Sequence, residues 1–502
     1  MQAAVNRSKV NAALLGSLAV FLAGVLLLAP FIPDDSYISF RYAENLANGF
    51  GLTFNPGEPP VEAYSNFLWI VLCALVSKLG PLPTLMPVVG LCLGAGCFVL
   101  LRATLVRHAA DWQEVAVPLF LLAFSAPFLL YTVSAMETPL FIALLLALVY
   151  VGDRVSAEGG LAPWVGVALL GVALALTRPE GIIVFPLVWL LLGSGSKQRW
   201  VSAGLFTLLV GIYHLWRVSY FHAWLPVPFT SKGTGLGPIH TVYYNLKFLF
   251  LATEGKFAPC GFYYTTVVLV TAMGLRLVPG PRPKSQTLAF ALGIALAAVY
   301  VNFLDWMPGQ RYFSVLVPLM CIPAAALLQG PARPFISIVL VPLLAFSLDT
   351  AFKVRADARS LEQSTAGSLL ALGHWLNGAV PAQSLLAVSD VGAIPYYSRL
   401  RTVDTNPHSL ADLKIAHRGF TLDDFFARHA DIVIFVSFSI SQPVFYPEHQ
   451  PVLLDPRFQQ YRLIGVTQYS RIGRCYWVYA RDSLSLPKEK LASFPHGIDP
   501  IG

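Results

Sequence analysis

Residues 11–35 read NAALLGSLAVFLAGVLLLAPFIPDD, an apolar run from Asn11 to Pro30 that is followed at once by the adjacent carboxylates Asp34 and Asp35. About 20 apolar residues form a helix roughly 30 Å long, the thickness of a bilayer's hydrocarbon core. Arg7 and Lys9 precede the run, as they would precede a signal peptide. No small-residue cleavage site follows it and further apolar runs do, so it reads as a retained membrane helix.

The rest of the chain agrees with that reading. Of 502 residues, 56% are hydrophobic and only 12% charged, and the mean hydropathy is +0.63. An average soluble domain carries roughly twice that charged fraction. So apolar a chain cannot cover its own surface with polar groups, which excludes a soluble enzyme and a disordered protein. Further runs lie near 84–106, 115–135, 138–152, 162–177, 180–194, 199–218, 263–280, 286–304, 312–329 and 334–352. With the first they predict a polytopic α-helical membrane protein of about eleven spans. Tyr64 to Leu79 is too short to cross and reads as a helix in or dipping into the outer interface.

The formal charge of +7 would suggest nucleic acid in a soluble protein. Here the basic residues sit in short loops, at Arg7/Lys9, Arg102/Arg107, Arg154, Lys197/Arg199, Arg276/Arg282/Lys284 and Arg333. Those loops alternate to one side, as the positive-inside rule expects of the cytoplasmic face, and no basic stripe or stacking platform implies nucleic acid. The N-terminus is then cytoplasmic, in a multi-pass protein of the inner (plasma) membrane. The loop 31–83, the turns at Glu137, at Arg178–Gly181 and at 305–311, the loop 219–262 and the tail all lie outside. The membrane domain is 1–353. The tail, 354–502, regains charge and turn signals and reads as an external α/β domain, with strands at Ser384–Ser389, Asp431–Phe438 and Cys475–Ala480 and helices at Thr365–Leu376 and Leu422–His429. Cys260 and Cys475 lie outside the apolar runs and pair if both face an oxidising compartment.

Two adjacent carboxylates beside a membrane helix are costly unless solvated, paired or bound to a cation. Capping the amphipathic helix that follows would need only one of them. Burial and like charge raise a carboxyl's pKa, which suits one of the pair to act as a general base on a hydroxyl while the other orients it or holds a cation. Glycosyl transfer to an alcohol needs such a base, and a phosphate leaving group needs cations. Arg41, Arg178, Lys232 and Arg311 supply them on the same face. Glu137 opens an external helix, where it serves the helix dipole or contacts substrate or metal.

These segments carry a resemblance. Asp34-Asp35-Ser36-Tyr37-Ile38, Phe40-Arg41-Tyr42-Ala43, Asn55-Pro56-Gly57-Glu58 and Glu62-Ala63-Tyr64-Ser65-Asn66-Phe67-Leu68-Trp69 are similar to the first external loop of bacterial GT-C membrane glycosyltransferases. Met136-Glu137-Thr138-Pro139, Thr177-Arg178-Pro179-Glu180-Gly181, Arg311-Tyr312-Phe313 and Ser389-Asp390-Val391-Gly392 continue it in order. Within that group the chain most resembles the terminal arabinofuranosyltransferases of actinobacterial cell walls. The resemblance implies a polyprenyl-phosphate-linked sugar as donor, arabinofuranose first, and a glycan or protein acceptor at the outer surface of the bilayer. It also implies Asp34 and Asp35 as the catalytic pair, with either as base and Asp35 nearer the interfacial helix. Arg41, Arg178, Lys232 and Arg311 are the donor-phosphate ligands, and Glu137, Glu62, Tyr64, Asn66, Glu180, Tyr312 and Asp390 the substrate or metal contacts. These residues fix no cofactor, and the acids admit a divalent cation, Mg or Mn. The competing class is a transporter or flippase of a lipid-linked or polar envelope substrate. Against it, charges are nearly absent from mid-span and no broken-helix repeats occur.

Overall fold

The computed structural model describes residues 6–28, 31–158, 160–193, 195–228, 282–302, 307–328, 351–353, 355–363, 365–407, 420–439, 441–468 and 474–495, with residues 242, 267, 268, 271, 272, 348, 349, 409, 411 and 412. Its first ten helices are α1 Arg7–Leu28, α2 Asp34–Ala47, α3 Phe67–Val76, α4 Leu82–Val106, α5 Gln113–Ala123, α6 Ala126–Thr132, α7 Thr138–Glu158, α8 Leu161–Thr177, α9 Gly181–Leu192 and α10 Lys197–Phe221. Helix Lys284–Tyr300 and the helical segment Arg311–Leu328 follow.

Among the described residues five helices are long and apolar enough to cross a bilayer: α1, α4, α7, α10 and Arg311–Leu328. The pair α5 and α6 passes the same test as one broken span, bent by 65°. The sequence reads as one straight span there. Ser125 and Pro127 instead start a new helix, since proline suits a first turn and breaks the preceding ladder. Helices α3, α8, α9 and Lys284–Tyr300 are apolar but shorter. At 10 residues, α3 reaches only about 15 Å and does not cross. Eleven full spans are therefore not what the described residues hold. The expected runs at 263–280 and 334–352 lie almost wholly outside them.

Close backbone approach fixes part of the bundle. Gly90 and Gly94, four apart on α4, face α6: a Cβ at Gly90 would lie 1.9 Å from the Thr132 carbonyl oxygen, and one at Gly94 2.7 Å from Thr132 Cγ2. Small residues at this spacing let membrane helices touch along their backbones.

Basic side chains gather at one end of the bundle. Lys9 lies over the Trp112 ring, 5.4 Å away, and Arg102 donates to Asn11 Oδ1 at 2.7 Å. Arg107 pairs with the buried Asp153 at 3.0 Å, and Asp153 also accepts from the Ser285 amide at 3.1 Å. The other end carries the starts of α2, α3, α7 and α9, together with the C-terminal region.

That region builds on a five-stranded sheet in the order β2-β1-β3-β5-β4. Its strands are β1 Leu385–Val388, β2 Arg401–Asp404, β3 Ile432–Ser437, β4 Tyr461–Gln468 and β5 Cys475–Arg481. β1 runs parallel to β2 and β3, whereas β5 is antiparallel to β3 and to β4. The apolar runs of β1 and β3 are buried at every position, as expected of a strand covered on both faces. β2 and β4 escape the sequence reading because the apolar signal thins at the sheet edges: β2, Arg401–Asp404, has one apolar residue although three of its four positions are buried, and β4 is partly exposed. Cys475 is buried at the head of β5. Its expected partner Cys260 lies outside the described residues.

The amphipathic helix expected along the membrane surface is α2, but it is sandwiched. Every residue from Ser36 to Ala43 is buried, between α3 on one side and helix Ala393–Ser398 on the other. One apolar core joins Tyr37, Phe40 and Tyr42 of α2, Tyr64 and Trp69 of the first loop, and Val388, Ile394 and Ile434 of the sheet region. By packing, the first loop belongs with the C-terminal sheet rather than with the core of the spans.

Candidate active site

Five helix beginnings meet at one cavity of about 330 Å³. Asp35 is in the first turn of α2, Asn66 caps α3, Glu137 immediately precedes α7, Glu180 caps α9, and Arg311 opens the last apolar segment. All five line the cavity. Helix starts carry the positive end of the helix dipole, so their convergence favours an anion.

The side chains add charge in fixed places. Arg178, in the turn between α8 and α9, is 3% exposed. Its Nε lies 2.8 Å from Glu180 Oε1 and 3.7 Å from Glu137 Oε1, and its Nη1 is buried without a hydrogen-bond partner. Tyr300 Oη donates to Glu180 Oε1 at 3.0 Å. Arg311 donates to Tyr312 Oη at 2.9 Å, and both guanidinium groups lie 4.8 Å from the Tyr312 ring. Such contacts hold an arginine fork in one orientation. Burial alone would raise the Glu137 pKa, but Arg311 and Arg178 outweigh it and hold the carboxylate below its ordinary range. Asn66 Nδ2 donates to Glu137 Oε2 at 3.2 Å and to Ser39 Oγ at 3.1 Å.

The cavity's mouth is apolar on one side. Ile182 and Ile183 of α9 and Val299 of the Lys284–Tyr300 helix line it, and the two isoleucines are 50% and 38% exposed. A polar cavity with an apolar flank between two bundle helices suits a molecule that is charged at one end and greasy at the other.

Helix α2 has two working faces, and they divide the expected site. Asp35, Ile38 and Ser39 repeat at helical spacing and line the cavity. Asp34, Tyr37, Arg41 and Glu44, at the complementary spacing, hold the C-terminal region. Asp34 Oδ1 accepts from the Ala393 amide at 2.7 Å and Oδ2 from the Gly392 amide at 3.2 Å. Gly392 is required there: a Cβ would lie 2.1 Å from the Asp34 carbonyl oxygen. Burial first, then the neighbouring Asp390 carboxylate, pushes the Asp34 carboxyl up to about 7, with the Ala393 amide opposing. Tyr396 Oη donates to Glu44 Oε1 at 2.5 Å.

Several expected site residues therefore lie elsewhere. Arg41 does not reach the cavity. Its guanidinium donates to the carbonyls of Phe54 at 2.7 Å, Pro395 at 2.5 Å and Leu400 at 2.9 Å, and to Asn55 Oδ1 at 3.0 Å, so its donors are spent on joining the first loop to the sheet region. Glu62 is paired with Arg217 of α10 at 2.7 Å, both buried. Asp390 accepts from Arg474 and from Tyr476 Oη, each at 2.8 Å, beneath the sheet. Asp34 clasps the 392–393 backbone. Lys232 lies outside the described residues. Asp35, Tyr64, Asn66, Glu137, Arg178, Glu180, Arg311 and Tyr312 do come together.

Sequence reasoning missed three partners. Tyr300 reads as one more apolar helix residue. Arg217 looks like a basic residue at a helix end, although its partner is 155 positions away. Asn55 clasps the edge strand β2, donating to the Thr402 carbonyl at 2.8 Å and accepting from its amide at 3.0 Å. A local signal existed only for Asn55, in the turn Asn55-Pro56-Gly57.

For a divalent cation the donors fit poorly. No three His, Cys, Asp or Glu side chains converge among the described residues, and Glu137 is already compensated by two arginines and an amide.

The chain's relationships accord with this geometry. A family described as a domain of unknown function, DUF8728, matches residues 356–481. No curated protein sequence matches. Among solved structures, ArnT from Cupriavidus metallidurans in the apo state is 13% identical with TM-score 0.58, over 92% of this chain and 98% of that one. The same enzyme bound to undecaprenyl phosphate gives 13% and 0.56, over 96% and 100%. The Archaeoglobus fulgidus oligosaccharyltransferase in the apo form gives 13% and 0.53, over 97% and 77%. These alignments cover 92–97% of this chain, and its fold is that of ArnT and the archaeal oligosaccharyltransferase, the GT-C fold.

Proposed function

We propose that this protein is a membrane glycosyltransferase that moves a sugar from a polyprenyl-phosphate donor to a hydroxyl of a glycan or protein acceptor. The observation that carries the reading is the buried, unpartnered Nη1 of Arg178 in a cavity ringed by helix starts and edged by Asp35. A fixed guanidinium without a partner is costly to bury, and a phosphate oxygen repays it. The undecaprenyl phosphate in the ArnT structure supports the same class of donor. The prenyl chain leaves past Ile182, Ile183 and Val299 into lipid. Arabinofuranose is the first sugar to test, on the resemblance of the first-loop motif.

In this mechanism Asp35 accepts the proton of the acceptor hydroxyl as its oxygen bonds to the anomeric carbon. The bond from that carbon to the phosphate oxygen breaks. The polyprenyl phosphate departs with one more negative charge, which Arg178 and Arg311 stabilise, with Lys232 as a further candidate. Asp34 does not touch the reactants; it fixes the sheet region over the cavity. Two arginines supply the positive charge, so no divalent cation is needed. The basic end of the bundle faces the cytoplasm of a plasma membrane by the positive-inside rule, and the site lies at the outer rim.

The test offers purified protein in liposomes labelled undecaprenyl-phosphate sugars, arabinofuranose included, with envelope glycan as acceptor, with and without EDTA. Covalent transfer of label, unchanged by EDTA, is expected. Movement of label into sealed vesicles without a covalent product would identify a transporter instead, and activity lost to EDTA and restored by Mg or Mn would overturn the cation-free mechanism.

A further inference from the structure

Two polar atoms in the same cavity have no role in the reaction as described. Tyr64 is 4% exposed and lines the cavity, and its hydroxyl has no hydrogen-bond partner. Asn66, two residues on, also lines it, and its Oδ1 is buried and equally unpartnered. The segment between Val61 and Asn66 has no helix, so residues two apart can serve one surface. A buried polar group left unsatisfied costs free energy, and two such groups on neighbouring residues that line one cavity point to a polar ligand.

Each group is held in a defined state. The Tyr64 ring is wedged edge-on against Tyr42, 4.9 Å away, and Phe221, 6.1 Å away. Burial, helped by the neighbouring Tyr213, Glu62 and Tyr42, keeps the phenol well above its ordinary pKa. It remains a neutral hydroxyl that both donates and accepts. Asn66 spends its Nδ2 on Ser39 Oγ and Glu137 Oε2, which fixes the amide and leaves Oδ1 as a pure acceptor. The wall thus offers one two-way hydroxyl and one acceptor that demands an O–H or N–H.

Position says which part of the substrate these atoms meet. Asn66 is one hydrogen bond from Glu137, and Glu137 lies beside Arg178. A group joined directly to a phosphate held by Arg178 sits next to that wall. We infer that Tyr64 Oη and Asn66 Oδ1 form the subsite that recognises the donor sugar, binding two of its ring hydroxyls, and so set which sugar is transferred. This rests on the lipid-phosphate reading of the cavity.

The experiment compares binding of bare undecaprenyl phosphate with binding of undecaprenyl phosphate bearing arabinofuranose, mannose or glucose. It uses the full-length wild type, Tyr64→Phe, Asn66→Asp and Arg178→Gln in one detergent. The wild type should bind at least one sugar-bearing form about tenfold or more tighter than the bare lipid. Tyr64→Phe should lose most of that increment while binding the bare lipid as the wild type does, which a merely structural effect on the cavity would not spare. Asn66→Asp should lose it likewise, since a carboxylate cannot donate to Glu137 and Ser39 as the amide does and is repelled by Glu137 from the held position. Arg178→Gln should weaken every form, bare lipid included. An undiminished sugar increment in Tyr64→Phe, or no increment in the wild type for any of the three sugars, overturns the sugar subsite and leaves the phosphate site standing. Wild-type protein that binds none of the lipids overturns the reading beneath it as well.

Discussion

Asp34 and Asp35 are neighbours in sequence with different work, because successive residues on a helix point about 100° apart. Asp35 borders the cavity, whereas Asp34 is bonded to the Gly392 and Ala393 amides. Asp35→Asn should lower kcat for sugar transfer by about 10³-fold, the usual reach of a general base. Asp34→Asn should lower it less than about tenfold, measured in the same assay; equal losses would return both acids to the reacting atoms. The Asp34 carboxyl stands at about 7 in the fold against 3.8 ordinarily. The folded state therefore holds a proton that the unfolded chain has released across that window, and this group's effect on stability worsens as pH rises from about 4 to 7. The Tm advantage of wild type over Asp34→Asn should accordingly shrink between pH 5 and pH 8; an advantage that grows with pH would contradict the assignment. In the sequence the acid pair, Glu137, Arg178 and Arg311 were legible as chemistry-bearing residues, because charge beside an apolar span is costly. Which of them face one another was not. Arg41, Glu62 and Asp390 carry the same signal and spend it on holding the first loop and the sheet region, since a charge that docks and a charge that binds look alike without coordinates.

At the scale of elements, helices with strong apolar runs and the three inner strands β1, β3 and β5 are readable from pattern alone, and α2 from its helical spacing. What escaped has different causes. The edge strands β2 and β4 are set by pairing with β1 and β5, the 65° break between α5 and α6 by the helix start at Ser125 and Pro127, and the burial of α2 under the Ala393–Ser398 helix by a partner hundreds of residues away. The α4–α6 contact gives a direct check. Gly90→Ala places a methyl group 1.9 Å from the Thr132 carbonyl oxygen, a backbone atom that cannot rotate aside, and should destabilise the bundle by about 1–3 kcal/mol. Thermal unfolding in detergent should show a lowered Tm. Gly96→Ala, where no heavy atom lies within 4 Å of the new Cβ, should leave it within error. Equal Tm values for both variants would mean that α4 and α6 do not touch there.

The described residues form a bundle whose basic end and cavity end are opposite, with the sheet region joined to the latter by the first loop. The class of fold and the change of character after residue 353 follow from composition and charge alternation, which reflect the solvent each segment meets. The division of labour between loop and tail does not, because it lives in one shared core. The cavity between the first loop and the helix bundle, with Arg178, Arg311 and Asp35 in its lining, is the proposed seat of the phosphate of a lipid-linked donor. A structure of the full-length protein with undecaprenyl phosphate tests that most directly. Phosphate density is expected within hydrogen-bond reach of Arg178 Nη1, with the prenyl chain leaving past Ile182 and Ile183. Phosphate density elsewhere, with the Arg178 cavity unchanged, would contradict it.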